Sequence, residues 1–330
     1  MADLLGVVEA AYDLEASDGQ WMQRIIDAVG PLIDVGYGAY GGAVDASGPT
    51  IRLGDILCHR GQGAFVSAVE QTSAALPDWF IERAYRQASP ISSGTEVAGV
   101  EGWNELCRPY GPQQIADCVA VLAMDAHGVG VGVMAPLDRV QSYSARVRRV
   151  WARVVAHITA MLRLRRALAS HTGRPGHGEA VLSPGGRVEH AEGAAQPKSA
   201  RDRLREAAVA RERARGRRRR KDPEEATEMW GALVAGRWSI VDRFDRDGRR
   251  FLIAHENEPT ADEPRALTAR ERQVVTYVAM GHSNKLIAYE LGLSVGAVSA
   301  YLTTATRKLG LASRIDLVRL CRASWMSERK

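Results

Sequence analysis

Leu267-Thr-Ala-Arg-Glu-Arg-Gln-Val-Val275, followed by Gly281-His-Ser-Asn-Lys-Leu-Ile-Ala288 and Leu291-Gly-Leu-Ser294, decides the architecture of the C-terminal part of this 330-residue chain. Thr268 and Glu271 have the spacing of a capping box, which starts a helix by satisfying its first free N–H groups. Val274, Val275 and Val278 give that helix one apolar face, and Gly281 supplies the left-handed residue that stops it. Ser283 caps a second helix whose inward side is Leu286, Ile287 and Leu291. After the tight Leu291-Gly292-Leu293 step, Ser294 caps a third helix carrying Val298, Leu302, Ala305 and Leu309, and Gly310 ends it. Ser313 with Asp316 makes another capping box before a fourth helix with Leu317, Val318 and Cys321 inward. The expectation is a compact, all-α, four-helix unit over 267–330.

Two short helices joined by a glycine turn inside such a unit form a helix-turn-helix, whose second helix is shaped for a major groove. The run Leu267-Thr-x-Arg-Glu271, Gly281-x-Ser-Asn-Lys285-x-Ile-Ala288, Leu293-Ser294, Arg307-Lys-Leu-Gly310 and Arg314 resembles the LuxR/FixJ-type DNA-binding domain, over about a fifth of the chain. The resemblance implies a bacterial transcription regulator that binds an inverted repeat in double-stranded DNA as a homodimer, with RNA polymerase as a further partner. It also implies that Lys285, Ser294, Ser299, Tyr301, Arg307 and Lys308 lie on or near DNA. Lys285, Arg307 and Lys308 are assigned to phosphates, where they set register without reading sequence. Ser299 and Tyr301, with the methyls of Val298, are the expected base readers, since a hydroxyl pairs with several bases and apolar atoms meet a thymine methyl. One departure matters. Where the family has Thr-Val, then a basic or amide residue and a His, this chain reads Ala297-Val-Ser-Ala-Tyr301. Long polar side chains are therefore scarce before Arg307, and the expected specificity is modest. Two alternatives stay open: a helical bundle that binds protein, and a regulator whose helix-turn-helix no longer reads DNA.

Charge separates this unit from the remainder. From Arg265 onward there are eleven Lys or Arg against four Asp or Glu, a net of +7, while the whole chain carries only +5. The residues before Arg265 are thus slightly acidic, and the positive charge is concentrated where counterion release needs it. The 45% hydrophobic content is that of a soluble globular protein, and the length allows two or three domains with proper cores. No stretch approaches the roughly 18 uncharged apolar residues of a membrane span, and Met-Ala-Asp-Leu-Leu is not the start of a secretory signal. Cys58, Cys107, Cys118 and Cys321 are scattered without a CxxC pair, as in a reducing cytoplasm, and core filling is the better account of each than redox sensing.

Residues 1–170 read as one mixed α/β domain. Leu4 to Leu14 is apolar enough for a helix. Ser17 or Asp18 caps another in which Trp21, Ile25, Ile26, Val29 and Leu32 share a face. Tyr37 to Val44 and Ile51 to Cys58 are strand-like across a turn-rich Asp45-Ala-Ser-Gly48, and helical segments follow at Ala64 to Val69 and Trp79 to Gln87. Cys118 to Met124 and Val129 to Ala135 flank Asp125-Ala-His-Gly128 as a hairpin. A long helix from Ser142 to Leu168 turns Val147, Val150, Trp151, Val154, Ile158 and Leu162 inward. This order of elements resembles a GAF-type sensor domain, which implies either a ligand pocket or a filled module serving dimerisation or relay. Trp79 and Tyr85 invite comparison with autoinducer-binding domains, but the spacing and the following Asp-Pro of those domains are not reproduced.

Residues 171–179 have the glycines and proline of a linker, and 260–266 form a second, acidic one. Between them, over 180–259, Ala180 to His190 reads as strand, Gly-Gly turn, strand. Trp238 to Phe244 and Arg250 to His255 flank Asp245-Arg-Asp-Gly248 as a hairpin. These outer strands resemble a reduced PAS-like fold. The arginine-rich run 201–221 holds eleven basic and three acidic residues. It reads either as a patch adding nonspecific DNA affinity or as a solvated helix with local ion pairs such as Glu212 with nearby arginines. There is no phosphate-cradling GxxxxGK[ST], GxSxG elbow, HExxH or EF-hand loop, and no phosphate-receiver acidic cluster. The fold class expected is multidomain α+β: a GAF/PAS-like sensor region followed by an all-α LuxR-type helix-turn-helix domain. The protein is expected to be non-catalytic and cytoplasmic, with no cofactor, metal or membrane partner. Whether a small-molecule effector binds the front half is left open.

Overall fold

The front of the chain is built on two antiparallel sheets, each in its own compact unit: Met1–Thr159 with Arg219–Thr227, and Ala160–Arg218 with Glu228–Lys330. The computed structural model describes residues 3–48, 50–61, 66–67, 69–70, 76–86, 89–107, 115–125, 128–170, 178–230, 233–234, 238–245, 247–256, 269–308 and 317–318.

In the first unit α1 (Leu4–Ala11) is capped by Asp3, which accepts the N–H of Gly6 at 3.0 Å. Helix α2 (Asp18–Ile33) starts at Ser17 through a reciprocal capping box with Gln20. Trp21, Ile25, Ile26 and Val29 are buried as their spacing predicts, and the Trp21 indole donates to the Ala11 carbonyl at 2.7 Å, tying the two helices together. The sheet comprises β1 (Ala39–Asp45), β2 (Arg52–Leu53), β3 (Leu57–His59), β4 (Ile91–Ser93), β5 (Asp117–Met124) and β6 (Val129–Leu137), in the order β2-β1-β6-β5-β4, with β3 also on β1. The expected single strand from Ile51 to Cys58 is two short ones, interrupted at Gly54, Asp55 and Ile56. Helix α3 (Asp78–Ile81) continues as a π-helical turn over Glu82–Arg86, and α4 (Gly94–Leu106) follows β4. The expected helix at Ala64 to Val69 lies largely outside the described residues.

Strand β4 and helix α4 were not foreseen by periodicity, yet Ser93-Gly-Thr-Glu96 is a capping box in sequence and forms one in the structure. The fully buried carboxylate of Asp117 anchors this corner. It accepts from the Thr95 N–H at 3.0 Å, the Thr95 hydroxyl at 2.5 Å, the Cys118 N–H at 2.8 Å and the Gln141 N–H at 3.1 Å. A buried carboxylate this well supplied with donors is a stable anchor rather than a reactive group. The long α5 (Ala145–Ser170) buries Val150, Trp151, Val154 and Ile158; Val147 and Leu162 are half-buried.

The second sheet comprises β7 (Ala180–Leu182), β8 (Val188–Ala191), β9 (Leu233–Val234), β10 (Trp238–Phe244) and β11 (Arg250–Glu256), in the order β8-β7-β11-β10-β9. Both predicted hairpins are present, and the two-residue β9 is an addition. In both sheets the first strand sits between the second and the last. Helix α6 (Lys198–Arg213) packs Leu204 and Ala208 against Leu182, Ile240 and Leu252.

The arginine-rich run turns several of its charges inward. Arg211 is fully buried, donating to the Ile240 carbonyl at 3.1 Å and to Asp242 at 2.6 Å. Its guanidinium lies 4.8 Å from the centre of the Trp230 ring, and that of Arg215 lies 5.0 Å away. Asp242 also accepts from Arg215 at 2.6 Å and Arg250 at 2.8 Å, while Glu212 pairs with Arg215 at 3.3 Å, the local ion pairing that the sequence allows. Within the first unit, Arg219 pairs with Asp3 at 2.6 Å and Glu9 at 2.8 Å, shortly before helix α7 (Pro223–Met229). The side chains of Arg217, Arg218 and Arg220 lie outside the described residues.

Candidate nucleic-acid interface

Among the described residues, the C-terminal part carries the helices α8 (Ala269–Ala279), α9 (Asn284–Leu291) and α10 (Val295–Lys308). The Thr268 half of the first capping box lies outside the described residues; Glu271 is buried. Val274, Val275 and Val278 are buried as their spacing requires. Helix α8 closes with a Schellman motif: the Gly281 N–H bonds the Val278 carbonyl at 2.9 Å and the His282 N–H bonds that of Tyr277 at 3.0 Å. Gly281 has φ of +84°, and a β-carbon there would meet nothing within 4 Å. Backbone handedness, not space, therefore selects glycine at this position.

Ser283 caps α9 by accepting the Leu286 N–H at 3.3 Å. Gly292, left-handed at φ 55°, repeats the Schellman closure: its N–H reaches Tyr289, and the Leu293 N–H reaches Ala288 at 2.8 Å. Ser294 caps α10 by accepting the Ala297 N–H at 3.0 Å. Across this turn the chain bends by 106°, within the range of about 90–120° that defines a helix-turn-helix.

Helix α10 has two faces. Val298, Leu302 and Ala305 are buried at the i, i+4, i+7 spacing of a core stripe. Ser294, Val295, Gly296, Ser299, Ala300 and Thr303 are exposed on the other side, Tyr301 is half-buried, and Lys285 is exposed at the start of α9. One expectation is overturned. Val298 is 0% exposed, so its methyls belong to the bundle core and do not face base edges. The exposed methyls are those of Val295, which is 48% exposed. Arg307 and Lys308 belong to α10, but their side chains lie outside the described residues, as does the fourth helix apart from helical Leu317 and Val318. Leu317 is fully buried, as its place in the capping-box pattern requires.

The sequence reading missed Asn284. Its side-chain amide donates to the Ser299 hydroxyl at 3.1 Å, and that hydroxyl donates to the Val295 carbonyl at 3.1 Å. The contact joins residues 15 apart on different helices, which no local pattern announces. A separate polar cluster joins α8 to α9. Tyr277 is buried, its ring centre 5.3 Å from that of His282, and His282 lies 3.6 Å from the buried Glu290. Arg163 of α5 donates to the Tyr277 phenol and lies 5.9 Å from its ring centre. Burial pushes the phenol above its ordinary pKa, so it stays neutral and available as an acceptor for Arg163.

These features define a helix-turn-helix domain with one face of its second helix exposed. Residues 265–321 match the family described as "Bacterial regulatory proteins, luxR family", and this part of the chain is a luxR-family regulatory domain. The chain is similar here to three regulators. One is the HTH-type transcriptional activator RamA of Corynebacterium glutamicum, 41% identical over 56 residues, 17% of this chain and 20% of that protein. Another is the monoamine regulon transcriptional regulator of Klebsiella aerogenes, 42% identical over 57 residues, 17% and 25% of the two chains. The third is the oxygen regulatory protein NreC of Staphylococcus aureus, 38% identical over 70 residues, 20% and 32%. The match thus spans between a fifth and a third of the length of these relatives. Among the described residues no single helix is long and apolar enough to cross a membrane.

Proposed function

We propose that this protein is a DNA-binding transcription regulator that lays α10 in a major groove, binds an inverted repeat as a dimer, and has its output set by the sheet-bearing front half. The observation that carries the reading is the exposed side of α10. Ser294, Val295, Ser299 and Thr303 line a helix face that stands clear of its own bundle, presented by a turn of 106°. Lys285 contacts a phosphate and fixes register, as do Arg307 and Lys308 by the family resemblance. Ser299 and Tyr301 read bases, with the Val295 methyls in the role expected of Val298. The concentration of positive charge after Arg265 supports the affinity. Selection of duplexes from a random pool by the full chain tests this proposal, with a two-fold-symmetric site as the expected result.

One observation favours a second reading. From Val295 to Thr306 helix α10 carries no Asp, Glu, Lys or Arg, which suits a protein-binding face as well as a groove. Under that reading the selection enriches no sequence, and binding of the full chain to duplex DNA in dilute buffer is absent.

A further inference from the structure

The first sheet leaves a cavity of about 110 Å³ between β1, β5 and β6 on one side and α3 and α4 on the other. Its walls are apolar and rich in rings, with Phe80, Tyr85 and Trp103 contributed from the helical side and Leu122 and Met134 from the sheet. No Asp, Glu, Lys, Arg or His occurs among the lining residues. Glycines open the space: a β-carbon on Gly132 would come within 3.0 Å of the Leu122 side chain, and one on Gly94 within 2.3 Å of the Trp103 ring. Trp103 is therefore seated directly on the backbone at the start of α4. It is 6% exposed, and among the described residues its indole N–H has no hydrogen-bond acceptor. A buried donor left without an acceptor calls for a specific explanation.

We propose that this cavity is a binding site for a neutral, single-ring aromatic compound bearing one hydrogen-bond acceptor, which the Trp103 indole N–H receives. Size sets the first part of the assignment: an apolar cavity of about 150 Å³ in another protein takes benzene, so this one holds one ring rather than a lipid chain or a nucleotide. Charge sets the second. Tyr85 and Cys118 in the wall are neutral at physiological pH, because burial raises the phenol to about 12 and holds the thiol well above its ordinary value. An ionised ligand would be desolvated there without a counter-charge. Polarity sets the third. The Ser93 hydroxyl accepts from the Glu96 N–H at 3.2 Å and lies 3.3 Å from the Thr95 hydroxyl, and among the described residues the Trp103 indole N–H is the fully buried polar side-chain atom of the wall that lacks a partner. The site stands apart from the DNA reading, and its occupancy is measured without DNA.

The test uses the full chain and three probes: acetophenone, ethylbenzene and benzoate. Isothermal titration should show acetophenone binding at least about tenfold more tightly than ethylbenzene, which lacks the acceptor, and benzoate not binding measurably. Trp103→Phe, which keeps a ring and removes the donor, should bring acetophenone down to the affinity of ethylbenzene while moving ethylbenzene by less than about twofold. In the wild type, saturating acetophenone should shift one of the seven tryptophan indole cross-peaks, the one missing from Trp103→Phe. Equal affinity for acetophenone and ethylbenzene, tighter binding of benzoate, or no binding of any probe overturns the proposal. The wild-type comparison decides the matter even where the variant fails to fold.

Discussion

The two sheets follow one winding, yet they use their helix-covered sides differently. In the first, glycines on β1 and β6 and the short helices α3 and α4 leave a cavity walled by rings. In the second, α6 closes down on the strands through Leu204 and Ala208, and beyond them a fully buried arginine is fixed between Asp242 and Trp230. Strand order therefore does not decide whether such a module has room for a ligand. Side-chain volume at a few helix positions does. The contrast is the one the proposed site calls for: room for a compound at the first sheet and a filled core at the second.

The largest expected effect probes the solid side. Asp242→Ala leaves the Arg211 guanidinium buried without its anion and should cost about 3–5 kcal/mol in denaturant unfolding. Adding Arg211→Met to that variant should recover much of the loss, because an apolar side chain of similar length needs no counter-charge. A small effect of Asp242→Ala would show that the network is solvated and the second sheet less closed than described.

Acid should separate the two sheets next. Burial, and then the charge of Arg243, lower His255 on β11 to about 4 from an ordinary value near 6.5. The unfolded chain takes up that proton near pH 6.5 and the folded one only near pH 4. The second sheet should therefore lose on the order of 3 kcal/mol between those values and no more on this account below them. His255→Gln should flatten that slope in urea midpoints measured across the range. Enlarging matched alanines gives a finer comparison. Ala208→Leu, in the filled core, should cost about 1–3 kcal/mol, whereas Ala120→Leu, at the cavity wall, should stay within about 1 kcal/mol of wild type and weaken acetophenone binding. The smallest effect lies outside both sheets. Lys285→Ala should reduce DNA affinity several-fold for every sequence and lower the salt slope by about one, with no change in the unfolding of either sheet.

Legibility followed the range of the interactions involved. The helix-turn-helix was readable because Gly281, Ser283, Gly292 and Ser294 each act on backbone groups within a few residues, and all four behave as their chemistry requires. The hairpin β10–β11 was readable for the same reason, through Asp245 and Gly248. Strand β4 escaped because three residues carry no periodicity, although Ser93 and Glu96 marked the helix that follows. Val298 was assigned two incompatible duties, core and base contact, and only packing decides between them. The cavity was not legible at all. It depends on Gly94 meeting Trp103 and on strands distant in sequence lying side by side.

If α10 reads bases as proposed, the bond between Asn284 and Ser299 limits what Ser299 is able to say. A serine hydroxyl has one hydrogen to give and two lone pairs; the Val295 carbonyl takes the hydrogen and the Asn284 amide takes one pair. The single pair that remains is blind to guanine O6, thymine O4 and both purine N7 atoms. It answers only to an exocyclic amine, so this position would favour adenine or cytosine edges. Asn284→Asp has no hydrogen to give there, so it would free the second pair for the same amines and sharpen that preference, through a residue that need never touch the base.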